Sequence, residues 1–199
     1  MHSLKLTPRR ASPTGTPTRA RRYVAPMPVS IALLRALNVG TTNRIRKEAL
    51  REVFVAAGYP DAVTYIQSGN VLFRTDEAPA TSQARIRRQL QDDLGLTLDV
   101  IVRTDADLAR IATTHPFAAR TEDLTRLHVV FLLEPMSAVD ATAMAAKSVA
   151  PEEWAAAGSE VFVYYPGGLG VSKLKIKPLG TARNWNVVQQ LVALAQRHP

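Results

Sequence analysis

Hydrophobic positions along the chain follow two periods, and the switches between them outline the fold. From Val29 to Leu37 nearly every residue is apolar, as in a strand covered on both faces. Ala49, Leu50, Val53, Phe54 and Ala57 then recur at helical spacing between charged residues, and Gly58 supplies a stop, which predicts a helix over 46–57. Val63 to Gln67 and Asn70 to Thr75 alternate as strands around a Ser68-Gly69 turn. Ile86, Leu90 and Leu94 mark a helix capped at Thr81 or Ser82 and closed by Gly95, and Leu98 to Arg103 reads as a strand. Strand, helix, strand, strand, helix, strand is the βαββαβ order of a ferredoxin-like α+β fold.

The remaining chain repeats the order imperfectly. Thr104-Asp105-Ala106-Asp107 resembles a capping box with Asp in the Glu place, opening a short helix that stops near His115-Pro116. Leu127 to Leu133 is a buried strand. Ser137 caps a helix reaching about Ser148. Residues 152–156 and 160–165 form a hairpin around Ala157-Gly158-Ser159, and Pro166-Gly167-Gly168 breaks the chain. Thr181 caps a last helix from near Arg183 to Gln196, with Trp185, Val188, Leu191, Val192 and Ala195 on its apolar side. The expected division is a basic disordered tail over 1–28, a ferredoxin-like half over 29–103 and a second, imperfect ferredoxin-like α+β half over 104–199.

A Ser68-Gly69 turn would set Gln67 opposite Asn70. Thr64, Ile66, Val71 and Phe73 then share one face, and Val63, Tyr65, Gln67, Asn70 and Leu72 the other. Both faces carry apolar groups, so the second half is expected to cover the face that a lone sheet would leave wet. Gln67 and Asn70 would sit at the rim of that covered surface.

Charge alters this picture little. The net charge is +8, but the first 28 residues hold six bases and no acid, whereas the other 171 carry 19 bases and 17 acids. The tail reads as an extension upstream of a natural start at Met27, as a functional basic segment or as a transit peptide. Apolar runs such as Val129 to Leu133 are too short to span a bilayer. The chain has no cysteine, which excludes disulfides and thiolate chemistry and fits the cytoplasm.

Candidate chemistry is sparse, and each candidate has a structural alternative. Gln67 and Asn70 either tie the turn to the loop near Asn38 or bond a ligand. Arg35 ends an apolar strand and needs a partner, an acid of the protein or a ligand carboxylate or phosphate. Asn38 and Asn43 bracket Gly40 without a P-loop pattern. Lys173, Lys175 and Lys177 follow a Gly-rich loop and either hold a phosphate or keep an exposed segment soluble. Arg183 and Asn184 fall in "TARNWNVV", where Arg183 needs an internal carboxylate or a ligand anion. His128 reads as a core histidine or a proton carrier. No cofactor or metal pattern is present. The third strand offers only Phe73 where RNA-binding sheets present several aromatics, which argues against sheet-face RNA binding.

The segments "IALLRALNVG", "YIQSGNVLF", "HPF", "RLHVVFL", "YYPGGLGVSKL" and "TARNWNVV" together resemble the bacterial domain of unknown function 1697 family, from about Val29 to the C-terminus. The sequence departs from that pattern at Thr41-Thr42, Pro178 and Val187. The resemblance implies a two-part αβ structure and a start at Met27, and it carries over no catalytic residue. The functional expectation is a binding protein with a small anionic or nucleotide-like ligand between its halves, held by Arg35, Asn38, Gln67, Asn70, Lys173, Arg183 and Asn184. The alternatives are an enzyme acting on such a ligand, or a protein-interaction module using a sheet edge.

Overall fold

The computed structural model describes residues 27–37, 44–66, 69–113, 115–146, 150–174, 176 and 179–198. Among these, two antiparallel four-stranded sheets and five α-helices make an α+β fold. The first sheet holds β1 (Val29–Leu34), β2 (Val63–Tyr65), β3 (Asn70–Arg74) and β4 (Val100–Thr104) in the order β2-β3-β1-β4. The second holds β5 (Leu127–Leu132), β6 (Glu153–Ala157), β7 (Glu160–Tyr164) and β8 (Gly180–Asn184) in the order β6-β7-β5-β8. The helices are α1 (Lys47–Ala56), α2 (Pro79–Leu94), α3 (Asp105–Ala112), α4 (Ala138–Ala145) and α5 (Trp185–Ala195).

Strand alternation makes three apolar layers. Ala32, Leu34, Val71, Phe73, Val100 and Val102 face Leu50, Val53 and Phe54 of α1 and Ile86 and Leu90 of α2. Ile31, Leu33, Leu72 and Ile101 point the other way and share a core with Leu127, Val129, Phe131 and Phe162 of the second sheet. Leu108 and Ile111 of α3 and Trp185, Val188 and Leu191 of α5 belong to that same core. Beyond the second sheet, Val130, Leu132, Val161 and Val163 pack with Met144 of α4 and Tyr165. Each fully buried aliphatic or Phe side chain contributes about 1.5–3 kcal/mol, so the middle layer is the dominant bond between the sheets. The sequence expectation that the second part of the chain covers the inner face of the first sheet holds.

The hairpin register differs from the expected one. Tyr65 pairs with Asn70, Thr64 with Val71 and Val63 with Leu72. A shift of two residues preserves the faces, so Tyr65, Asn70 and Leu72 still look toward the seam. Gly69 explains the shift. Its carbonyl accepts from the Leu34 N–H at 2.8 Å, extending the β1–β3 ladder, and a Cβ at this position would lie 2.9 Å from the Leu34 Cβ. Gly69 is therefore committed to β1 and not to a two-residue turn. Gln67 and Ser68, like Asn38, lie outside the described residues.

Three further expectations are corrected. The N-cap of α2 is Ala78, with Pro79 in the first turn where its fixed φ suits a helix; neither Thr81 nor Ser82 caps it, and the Ser82 hydroxyl donates to Glu77. Residues 180–184 are a strand, and Asn184, not Thr181, caps α5 by accepting from the Val187 N–H at 3.0 Å. Thr181 and Arg183 turn inward and Ala182 outward, a period of two that overrides the helical reading of this segment. Ser137 and the Thr104–Asp107 capping box stand as expected.

Gly69 supplies a test. Its φ is +73°, and added bulk meets Leu34; Gly95 has a similar φ of +65° but opens onto space. Gly95→Ala is expected to cost about 1 kcal/mol in urea unfolding, the cost of placing a Cβ on left-handed backbone. Gly69→Ala adds a clash with β1 and should cost roughly 2–4 kcal/mol. Equal losses would show that the approach of Gly69 to β1 is not tight.

Candidate functional site

Arg183 lies on β8 opposite Val129, so alternation points it into the seam, where it is 7% exposed. Its guanidinium spans both sheets. Nε donates to the Asn70 Oδ1, and the terminal nitrogens donate to the carbonyls of Leu34 and Gly69 at 3.1 and 3.3 Å. Within its own sheet it donates to the Thr181 hydroxyl and the Ala182 carbonyl, both at 2.8 Å. A guanidinium has five N–H groups, and among the described residues five acceptors face them. Each of these acceptors is a neutral oxygen, so among the described residues an amide, a hydroxyl and carbonyls stand where the sequence offered an internal carboxylate or a ligand anion. Burial draws the Arg183 pKa down to about 10, which leaves it charged at neutral pH.

Arg103 is its counterpart, and sequence reading missed it. It occupies the same place on β4, opposite Ile31, one residue before the N-cap of α3. Its Nε donates to Glu160 at 2.8 Å, and its terminal nitrogens donate to the carbonyls of Leu132 and Ser159 at 2.8 and 3.3 Å and of Val102 at 3.1 Å. Leu34 and Leu132 end β1 and β5, Gly69 and Ser159 precede β3 and β7, and Asn70 and Glu160 begin them. Each sheet thus sends one arginine from its last strand into the other sheet, onto equivalent atoms. A signal was present: "RTD" and "RNW" both set an arginine before a capping residue and a helix.

A cleft opens beside each arginine. One, of about 550 Å³, is lined by Arg35, Arg183, Asn184 and Thr181 with Leu34, Leu37, Ile66, Val187 and small neighbours. Two of its residues, Ala36 and Ile66, hold left-handed backbone with φ of 55° and 49°, uncommon outside glycine. The other, of about 740 Å³, is lined by Arg103, Arg110, Asp107, Glu134 and Glu160 among others. The pair differs in charge. Among the described residues the first lining holds two arginines and no acid, and the second two arginines and three acids.

Arg35, Arg183 and Asn184 therefore share one cleft, and Asn70 stands behind Arg183. Arg35 has an acid partner, Asp99, at 3.3 Å, and its side chain is 44% exposed. The Asn184 Oδ1 is engaged as the α5 cap. Lys173 is exposed and does not line this cleft; the adjacent Leu174 packs in the outer core of the second sheet. Asn38 and Gln67 fall outside the described residues.

His128 is a core histidine, on the outer face of the second sheet. Its ring meets Tyr165 edge-on at 5.2 Å, and burial lowers its pKa. It lines neither cleft. His115 sits among Phe162 and Trp185, with ring centroids 5.2 and 4.7 Å away. Its Nε2 donates to the His128 carbonyl and its Nδ1 accepts from the Phe117 N–H, a pattern that only the neutral imidazole satisfies. Glu152 accepts from the Leu174 N–H and Glu153 pairs with Arg120 at 2.9 Å, so neither stands as a free acid in a cleft. Among the described residues no group of three or more His, Asp or Glu is arranged to hold a metal, and no helix is long and apolar enough to cross a membrane.

Two four-stranded sheets joined by reciprocal arginines define an α+β protein with a paired seam. The chain belongs to the family described as protein of unknown function (DUF1697), whose model matches residues 27–162. It is similar in fold to a solved structure, that of the conserved bacterial protein SP0830 from Streptococcus pneumoniae. That similarity has a TM-score of 0.68 at 18% identity and covers 85% of this chain and 99% of the other. No curated protein matches the chain. The family match ends within β7, so it contains Asn70 and Arg103 and stops short of Arg183.

His115 makes stability depend on pH. Burial lowers its folded pKa from the usual 6.5 to about 4. The unfolded chain then binds more protons between these values, so the contribution is complete above pH 6.5 and is lost as pH falls toward 4. Its size is at most about 3 kcal/mol. Urea unfolding from pH 4 to 7 should show stability rising with pH, with a flatter profile in His115→Phe. An unchanged slope in the variant would assign the dependence to other groups.

Proposed function

We propose that this chain is a binding protein whose ligand carries one anionic group on an apolar body and sits in the Arg35–Arg183 cleft. One observation carries the reading: of two clefts built on equivalent strand positions, this one has arginines and no acid in its described lining. Its volume of about 550 Å³ is that of small-molecule sites, which run from roughly 300 to 1,000 Å³. Arg183 has its N–H groups committed, so it contributes charge and a fixed wall. Arg35, half exposed and carrying a planar fork, is the group that meets a carboxylate or phosphate. Leu34, Leu37, Ile66 and Val187 offer apolar contact to the rest of the ligand.

The architecture behind this reading is a pair of ferredoxin-like halves, over 29–103 and 104–199, working in the cytoplasm. Shared strand order supports it, with a short 3-10 turn at Leu169–Val171 and no α-helix between β7 and β8 among the described residues of the second half. The enzyme alternative needs a proton carrier in the cleft, and His128 lies elsewhere.

Thermal unfolding of the full chain tests the proposal, with inorganic phosphate and phenyl phosphate compared with chloride at matched ionic strength. Ligand at 100 times its Kd stabilises by about 2.7 kcal/mol, a rise of roughly 5–10 °C for a chain of this size. Phenyl phosphate should act at lower concentration than phosphate, and Arg35→Ala should abolish both shifts. No shift with either probe, or equal shifts in the variant, contradicts the reading.

A further inference from the structure

We infer that residue 70 sets the charge preference of the Arg35–Arg183 cleft, acting as a specificity-determining position through its contact with Arg183; this rests on the anion-binding reading above. Across the seam, the described partners of the two arginines stand at equivalent positions and differ in charge at one of them. Leu34, Gly69 and Asn70 surround Arg183 as Leu132, Ser159 and Glu160 surround Arg103. The carbonyl contacts are alike in both sets. At the first residue of β3 an amide receives the arginine, and at the first residue of β7 a carboxylate does. Both side chains are buried, Asn70 at 0% and Glu160 at 3% exposure.

The consequence is electrostatic. Glu160 cancels the charge of Arg103 at 2.8 Å and also lies 3.7 Å from Arg110. Its cleft carries Asp107 and Glu134 besides, so it offers nothing to an anion. The amide of Asn70 satisfies the same N–H without adding negative charge, so the field of Arg183 reaches its cleft. In a low-dielectric seam, one added carboxylate beside Arg183 weakens anion binding on the order of tenfold. The fold already carries an arginine–carboxylate pair at the equivalent position, so Asn70→Asp keeps an acceptor for Nε.

The test uses the full chain, with binding of phenyl phosphate measured by calorimetry and unfolding measured without ligand. Asn70→Asp is expected to remain folded and to bind about tenfold or more weakly. A second variant, Glu134→Gln with Glu160→Gln, leaves Asn70 untouched and is expected to gain a second equivalent of phenyl phosphate, at the Arg103 cleft. Wild-type protein that binds no phenyl phosphate overturns the anion reading and this inference with it. Wild-type binding with unchanged affinity in Asn70→Asp overturns the inference alone. Should Asn70→Asp fail to fold, the double variant decides: two equivalents support the role of this strand position, and one equivalent rejects it.

Discussion

A guanidinium buried between two sheets must have all its N–H groups met, and meeting them fixes where both sheets lie. Arg183 reaches the end of β1, the residue before β3 and the first side chain of β3 in a single fork. None of these bonds survives a sliding of one sheet over the other, because a planar group with fixed donor directions accepts few arrangements. Apolar burial supplies most of the attraction across the seam but has no direction. The arginines supply the register. Leaving one buried acceptor unmet costs about 1–3 kcal/mol, so the correct alignment is separated from its neighbours by several such penalties.

The same device appears twice and has been tuned twice. Arg103 binds a carboxylate and Arg183 binds an amide, with carbonyl partners at equivalent positions. The scaffold tolerates either, since both give Nε an acceptor. What differs is the charge that remains for the adjacent cleft. At the equivalent strand position, Asn70 completes the seam with a neutral amide and Glu160 completes it with a carboxylate.

Much of the layering was legible because period-two and helical spacing survive in single segments. Val71 and Phe73 against Tyr65 and Leu72 sort onto the right faces even though the pairing register differs by two residues, since an even shift leaves faces unchanged. The strand at 180–184 was not legible. Five residues with alternating small and polar groups give no hydrophobic run, and the helical stripe that follows captured them. Arg183 and Asn70 were singled out as needing partners, which was right, but that they need each other follows only from the packing of the sheets. Arg103 is legible only by comparing the two halves, since its one signal is the arginine that both "RTD" and "RNW" set before a helix cap. The Arg35–Asp99 pair shows the limit of reading a charge alone, for an acid 64 residues away gives no local signal.

A double-mutant cycle on Arg183 and Asn70, read by equilibrium urea unfolding, measures whether the arginine bond across the seam carries energy of its own. Arg183→Met, Asn70→Ala and the pair together should show a coupling of about 1–3 kcal/mol, as buried hydrogen-bonded partners do. Losses that add within about 0.5 kcal/mol would mean that the two side chains are held near each other by the surrounding core, and that the seam does not depend on their bond.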